Sequence, residues 1–99
     1  MILSHKDLTG NFVVSVVSDT KPISILNIIT YINKLNRVIN VINLANNNID
    51  NYQAIQLIEY VLLCQPNLKK IDLRENRIEN GNKILVEKIE ELVSRENFK

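Results

Sequence analysis

Adding 29 to the residue number carries one stretch of this chain onto another, and no other feature restricts its fold so tightly. Ile39, Ile42, Leu44, Asn47 and Ile49 land on Leu68, Ile71, Leu73, Asn76 and Ile78, each on a matching residue type. The same shift takes Leu26, Ile28, Ile29, Tyr31 and Ile32 onto Ile55, Leu57, Ile58, Tyr60 and Val61. The alternation Ile42/Leu44 and Ile71/Leu73 is that of short strands with one apolar face. Ile55, Ile58, Val61 and Leu62, and then Leu85, Ile89, Leu92 and Val93, recur at helical steps. Asp50 or Asn51, and Asn80 or Asn82, supply N-cap oxygens, while Pro66 stops the middle helix and Pro22 suits the start of the first. The repeating unit is therefore strand, turn, helix.

An earlier copy is degenerate. Phe12-Val13-Val14-Ser15-Val16-Val17-Ser18-Asp19 reads as a β-branched strand. A shift of 28 places Val14, Val16 and Asp19 on Ile42, Leu44 and Asn47. A one-residue slip exchanges the two faces, so the outward residues are Val13, Ser15 and Val17 in the favoured register, or Phe12, Val14 and Val16 in the other. At 99 residues the chain has room for one core. It divides into a degenerate repeat at about 10–38 and clear repeats at 39–67 and 68–96.

Leu68-Lys69-Lys70-Ile71-Asp72-Leu73-Arg74-Glu75-Asn76-Arg77-Ile78 fills the pattern LxxLxLxxNxI, with Ile in one Leu slot and Pro66-Asn67 before it. Ile39 to Ile49 repeats the pattern in register. In this the chain resembles the leucine-rich-repeat proteins of the ribonuclease-inhibitor-like class. The resemblance implies an α/β fold: a short solenoid of about three strand-turn-helix repeats, a parallel sheet on one side and helices on the other. It also implies a protein-interaction scaffold that uses its sheet face or adjoining loops. Members usually carry more repeats, and three strands span only about 10 Å, too little for a large wraparound ligand. Two other arrangements fit the alternation: a small doubly wound α/β regulatory domain, whose strand order reverses, and a fragment of a longer repeat protein.

Other function classes find little support. A formal net charge of +1 gives no field to gather nucleic acid, and no apolar run reaches the length of a membrane span. Met1-Ile2-Leu3 is followed at once by polar residues and not by an apolar signal core, so the expectation is a cytoplasmic protein, with export into a host cell left open. Cys64 follows Val61-Leu62-Leu63 and reads as a small buried hydrophobe. His5 and Cys64 are single residues of their types, and Gly10 and Gly81 cannot form a phosphate-binding loop. No metal, cofactor or enzymatic activity is expected. Asn47 and Asn76 are expected to serve the turns, because an amide pairs with backbone N–H and C=O alike. Glu87, Lys88, Glu90, Glu91, Arg95 and Glu96 suggest a last helix with a polar outer surface, supported by pairs such as Glu91 with Arg95.

What remains is the outward sheet face. Val13, Ser15 and Val17, then Val41, Asn43 and Ala45, then Lys70, Asp72 and Arg74 would stand on it. An apolar patch with Lys70 and Arg74 at its rim is the expected site for a protein partner, or the seat of a homodimer. The alternative is that a mobile N-terminus covers it with Ile2, Leu3 and Leu8.

Overall fold

Four strands and three helices make up the computed structural model, which describes residues 1–17, 24–79 and 81–95. In chain order they are β1 (Ile2–Lys6), β2 (Phe12–Val16), α1 (Ile25–Leu35), β3 (Val41–Asn43), α2 (Asn51–Cys64), β4 (Lys70–Asp72) and α3 (Lys83–Val93). The strands lie in one sheet in the order β1-β2-β3-β4. Sequence neighbours are thus spatial neighbours, and the order does not reverse as it does in a doubly wound sheet.

Register follows the repeat. Val14 stands against Ile42, and Ile42 against Ile71, so the favoured alignment of the degenerate strand holds and Val14 and Val16 face inward. The position aligned with Asn47, Asp19, lies outside the described residues, as do Pro22, Asn80 and Glu96.

The sheet is mixed, not wholly parallel, because β1 pairs antiparallel with β2. The cause is local. Asp7 Oδ1 accepts from Thr9 N, the Thr9 hydroxyl and Asn11 N at 2.9, 2.7 and 2.9 Å. Gly10 takes φ +87 at the end of the loop, a conformation open to glycine at no steric cost. This closes a hairpin, so the N-terminus extends the sheet at its edge and does not fold over its face. Ser4, on the inner side, meets the Tyr31 hydroxyl of α1 at 3.0 Å.

The core lies between the sheet and the helices. Ile42 and Leu44 are fully buried against Ile28 and Ile32 of α1 and Leu57, Ile58 and Val61 of α2, with Ile39, Ile49 and Leu68 closing the ends. Ser24 caps α1, Asp50 caps α2 in a reciprocal box with Gln53, and Asn82 caps α3. Helix α2 stops at Cys64, before Pro66.

Helix α3 departs from expectation in two ways. Only Leu85 and Leu92 are buried, and Ile84, Val86, Ile89 and Val93 are exposed, so its outer surface is partly apolar. Arg95 does not serve a pair with Glu91. Its guanidinium reaches the carbonyls of Leu62, Gln65 and Val61 at 2.7, 2.8 and 3.1 Å. There a fixed cation meets the last carbonyls of α2, of which those of Val61 and Gln65 also accept from Gln65 N and Leu68 N, and complements the helix dipole. No described helix is long and apolar enough to cross a membrane.

Candidate interaction face

Pairing places the outward residues in rows across the strands. His5, Val13, Val41 and Lys70 make one row, and Leu3, Ser15, Asn43 and Asp72 the next. Beyond them Met1 and Val17 exchange backbone bonds at 2.9 and 3.1 Å, followed along the same edge by Ala45 and Arg74. Val13, Ser15, Val41, Asn43, Lys70 and Asp72 stand in these rows by strand pairing, and Val17, Ala45 and Arg74 follow just beyond the strand ends. Val13 is only 8% exposed although it points outward, since it stands in an inner strand between His5 and Val41. Val17 is exposed and Val41 and Ala45 are half-buried. Met1 and Leu3 join the apolar set from β1, and both are exposed.

These positions rest on a turn repeated in each unit. Asn43 Oδ1 accepts from Ala45 N at 3.2 Å, and one repeat later Asp72 Oδ1 accepts from Arg74 N at 3.1 Å. Asn76 Oδ1 takes the backbone N–H of Asn47 and of Ile49 at 2.9 and 2.8 Å. Its Nδ2 donates to the carbonyls of Leu44, Leu73 and Arg74. Asn47 Nδ2 donates in the same way to Val16 O in the preceding strand and to Ala45 O. Each amide thus binds its own turn to the one before it. Among the described residues Asn47 Oδ1 has no hydrogen-bond partner.

Asp72 differs from the expectation that it stays in water. It is buried, with Arg74 Nε and Nη2 against its two oxygens at 2.9 and 2.8 Å. That guanidinium hydrogen bond, aided by the Arg74 N–H and the charges of Arg74 and Lys70, holds the Asp72 carboxyl below its usual range. Lys70 and Arg74 are exposed at the rim.

Sequence reasoning missed Met1, Leu3 and His5 as members of this face. Only the loop was legible: Asp7-Leu8-Thr9-Gly10-Asn11 carries the Asp and Gly of a hairpin turn, but Ile2 to Lys6 does not alternate as a strand would. It also misplaced Cys64, which is exposed. The inward stripe of α2 runs through Ala54, Leu57, Ile58 and Val61 to Gln65, whose Oε1 accepts from Ile39 N at 3.4 Å. Cys64 instead turns into an open cleft of about 370 Å3 beside Asn33, Arg37 and Tyr60. A second open cleft, of about 710 Å3, lies between α2 and the start of α3. Neither gathers a nucleophile with a base, and among the described residues no three His, Cys, Asp or Glu side chains converge. Comparison of the chain with protein-family models, curated proteins and solved structures finds no match to any of them.

Proposed function

We propose that this chain is a short module of the leucine-rich-repeat type, with helices behind a largely parallel sheet, that binds a protein partner through the outer sheet face and has no catalytic role. One observation carries the reading: Leu3, Val13, Val17, Val41 and Ala45 share one face, and β1, which could have folded over them, sits at the edge. Parallel strands are ordinarily covered on both sides, and a bare apolar patch on a small protein marks a contact site. The repeated Asn-bound turns support the family reading, since they hold successive strands at one spacing and keep the face flat enough to be read.

The rim gives the partner a chemical character. Lys70 and Arg74 border the patch, and Asp72 between them is already engaged by Arg74. A partner with an apolar centre and carboxylates on the β4 side complements that arrangement. Four strands at about 4.8 Å spacing present a strip under 20 Å wide, the footprint of one helix or one extended segment.

Affinity capture from source extracts with the parent, Val41→Asp and Leu26→Asp chains tests this. Leu26 is exposed on α1, the opposite side of the molecule. A protein retained by the parent and Leu26→Asp chains but lost with Val41→Asp, at unchanged far-UV circular dichroism, supports the sheet face. Retention by Val41→Asp and loss with Leu26→Asp moves the site to the helices.

A further inference from the structure

The sheet is unfinished at β4. Ile71, Leu73 and Ile78 repeat Ile42, Leu44 and Ile49 position for position, yet the first three are half-buried and the second three fully buried. Among the described residues β3 has a strand neighbour on each side, and β4 has one. The carbonyls of Asp72 and Arg74 accept from Leu44 N and Asn46 N at 2.8 and 2.9 Å, and Lys70 N reaches Asn40 O. Alternate residues of a strand turn their N–H and C=O to opposite sides. Ile71 therefore presents both of its groups to the open edge, whereas the Leu73 carbonyl already accepts from Asn76 Nδ2 at 3.0 Å.

The helix layer ends on the same side. Arg95 reaches α2 from one flank of α3, and Ile84 lines a cleft with Tyr52 and Ile55 of α2. At about 3.6 residues per turn, Val86, Ile89 and Val93 fall on the flank turned away from α2, and all three are exposed. An open strand edge and an apolar helix flank thus face the same way.

We propose that this end of the molecule is a two-fold interface with a second copy of the chain, in which β4 pairs antiparallel with its symmetry mate. Charge selects the copy and the register. With Ile71 opposite Ile71 as the hydrogen-bonded pair, each Ile71 N–H donates to the other's carbonyl. The flanking pairs then set Lys70 against Asp72 twice, at the closer spacing of about 4.5 Å between Cα atoms. Moving the two-fold axis one residue onward opposes Asp72 to Asp72 and Lys70 to Arg74, and moving it one residue back opposes Lys70 to Lys70. A centre at Leu73 would set Asp72 against Arg74, but the Leu73 carbonyl is already taken by Asn76. The first register keeps opposite charges together with free edge groups, and it joins Val86, Ile89 and Val93 of the two copies into one apolar strip beside the strands. The edge shares Lys70 and Asp72 with the border of the outer sheet face, but the Ile71 backbone and the α3 flank lie outside that face, so Ile71→Pro and Val41→Asp distinguish the two sites.

Sedimentation velocity up to millimolar concentration, with a reductant present to keep Cys64 from cross-linking, tests the proposal. The parent chain is expected to reach a dimer and stop there. Lys70→Glu should weaken the dimer at least about tenfold, and the double charge reversal Lys70→Glu with Asp72→Lys should recover it. Ile71→Pro removes an N–H that the single chain does not use in its sheet, a change edge strands tolerate. It should leave a folded monomer, and Val41→Asp should leave the dimer intact. The proposal is overturned by a parent chain that stays monomeric, by growth beyond two copies, by a dimer that survives both Lys70→Glu and Ile71→Pro in folded form, or by a dimer lost in Val41→Asp.

Discussion

Asn46 and Glu75 occupy the same place in successive turns, with φ of 59 and 58. Asn enters that left-handed region readily and Glu does not. Glu75→Asn is therefore expected to stabilise the protein by about 0.5–1 kcal/mol, read as a rise of several degrees in the thermal midpoint. An unchanged or lower midpoint would show that Glu75 earns its position through contacts of its own. Asp72 makes a pH prediction. Its folded-state pKa lies below the unfolded value of about 3.9, so its stabilisation is complete above that value and lost as pH falls through the lower folded pKa. The midpoint of Asp72→Asn should lie below that of the parent at neutral pH, with the gap closing in acid. The reverse trend would mean that Arg74 does not hold the carboxylate. Such residues were legible in type but not in partner. Lys70, Asp72 and Arg74 alternate as outward residues must, but the fork between Asp72 and Arg74 depends on side-chain rotamers that spacing does not fix. Cys64 shows the same limit, since an apolar neighbourhood in sequence says little about the last turn of a helix. Its exposure predicts complete labelling by a thiol reagent in the native state.

Among the elements, the strand-turn units were the most legible part of the chain. Their apolar alternation and their Asn meet requirements internal to each unit, which explains why Ile39 to Ile49 and Leu68 to Ile78 align and pair in register. β1 was not legible, because Ile2-Leu3-Ser4-His5-Lys6 is a weak strand by composition and becomes one only through its partner and the loop at Asp7. Asn76→Leu tests the ladder. It strips an acceptor from two N–H groups in the part-buried turn, at a cost of about 1–3 kcal/mol, and should lower the midpoint by roughly 5–20 °C in a domain this small. No shift would make Asn76 an ordinary surface residue. Arg95→Ala tests the tie between α3 and α2. It leaves the carbonyls of Val61, Leu62 and Gln65 without their cation and should cost about 1–2 kcal/mol, with faster amide exchange confined to the last turn of α2 and to α3. Loss of protection spread evenly over the sheet would contradict that placement.

For the whole molecule, strand order decides what the surface can do. Among the described residues, sequential strands carry their helices on one side and none on the other, and register collects the apolar residues of that other side into rows bordered by Lys70 and Arg74. Parity foretold the faces of β3 and β4 and left two registers open for β2, between which the pairing of Val14 with Ile42 decides. It could not foretell that the N-terminus widens that face instead of covering it, because edge pairing and face packing make similar demands on so short a segment. We propose that this face, and not the helices, receives a protein. Chemical-shift mapping of the isotope-labelled chain against a captured partner tests it most directly. The largest shifts are expected at Leu3, Val13, Val41 and Ala45, with Lys70 and Arg74 at the border and Leu26, Leu63 and Cys64 unmoved. Shifts concentrated on α1 and α2, with Val13 and Val41 unchanged, would contradict it.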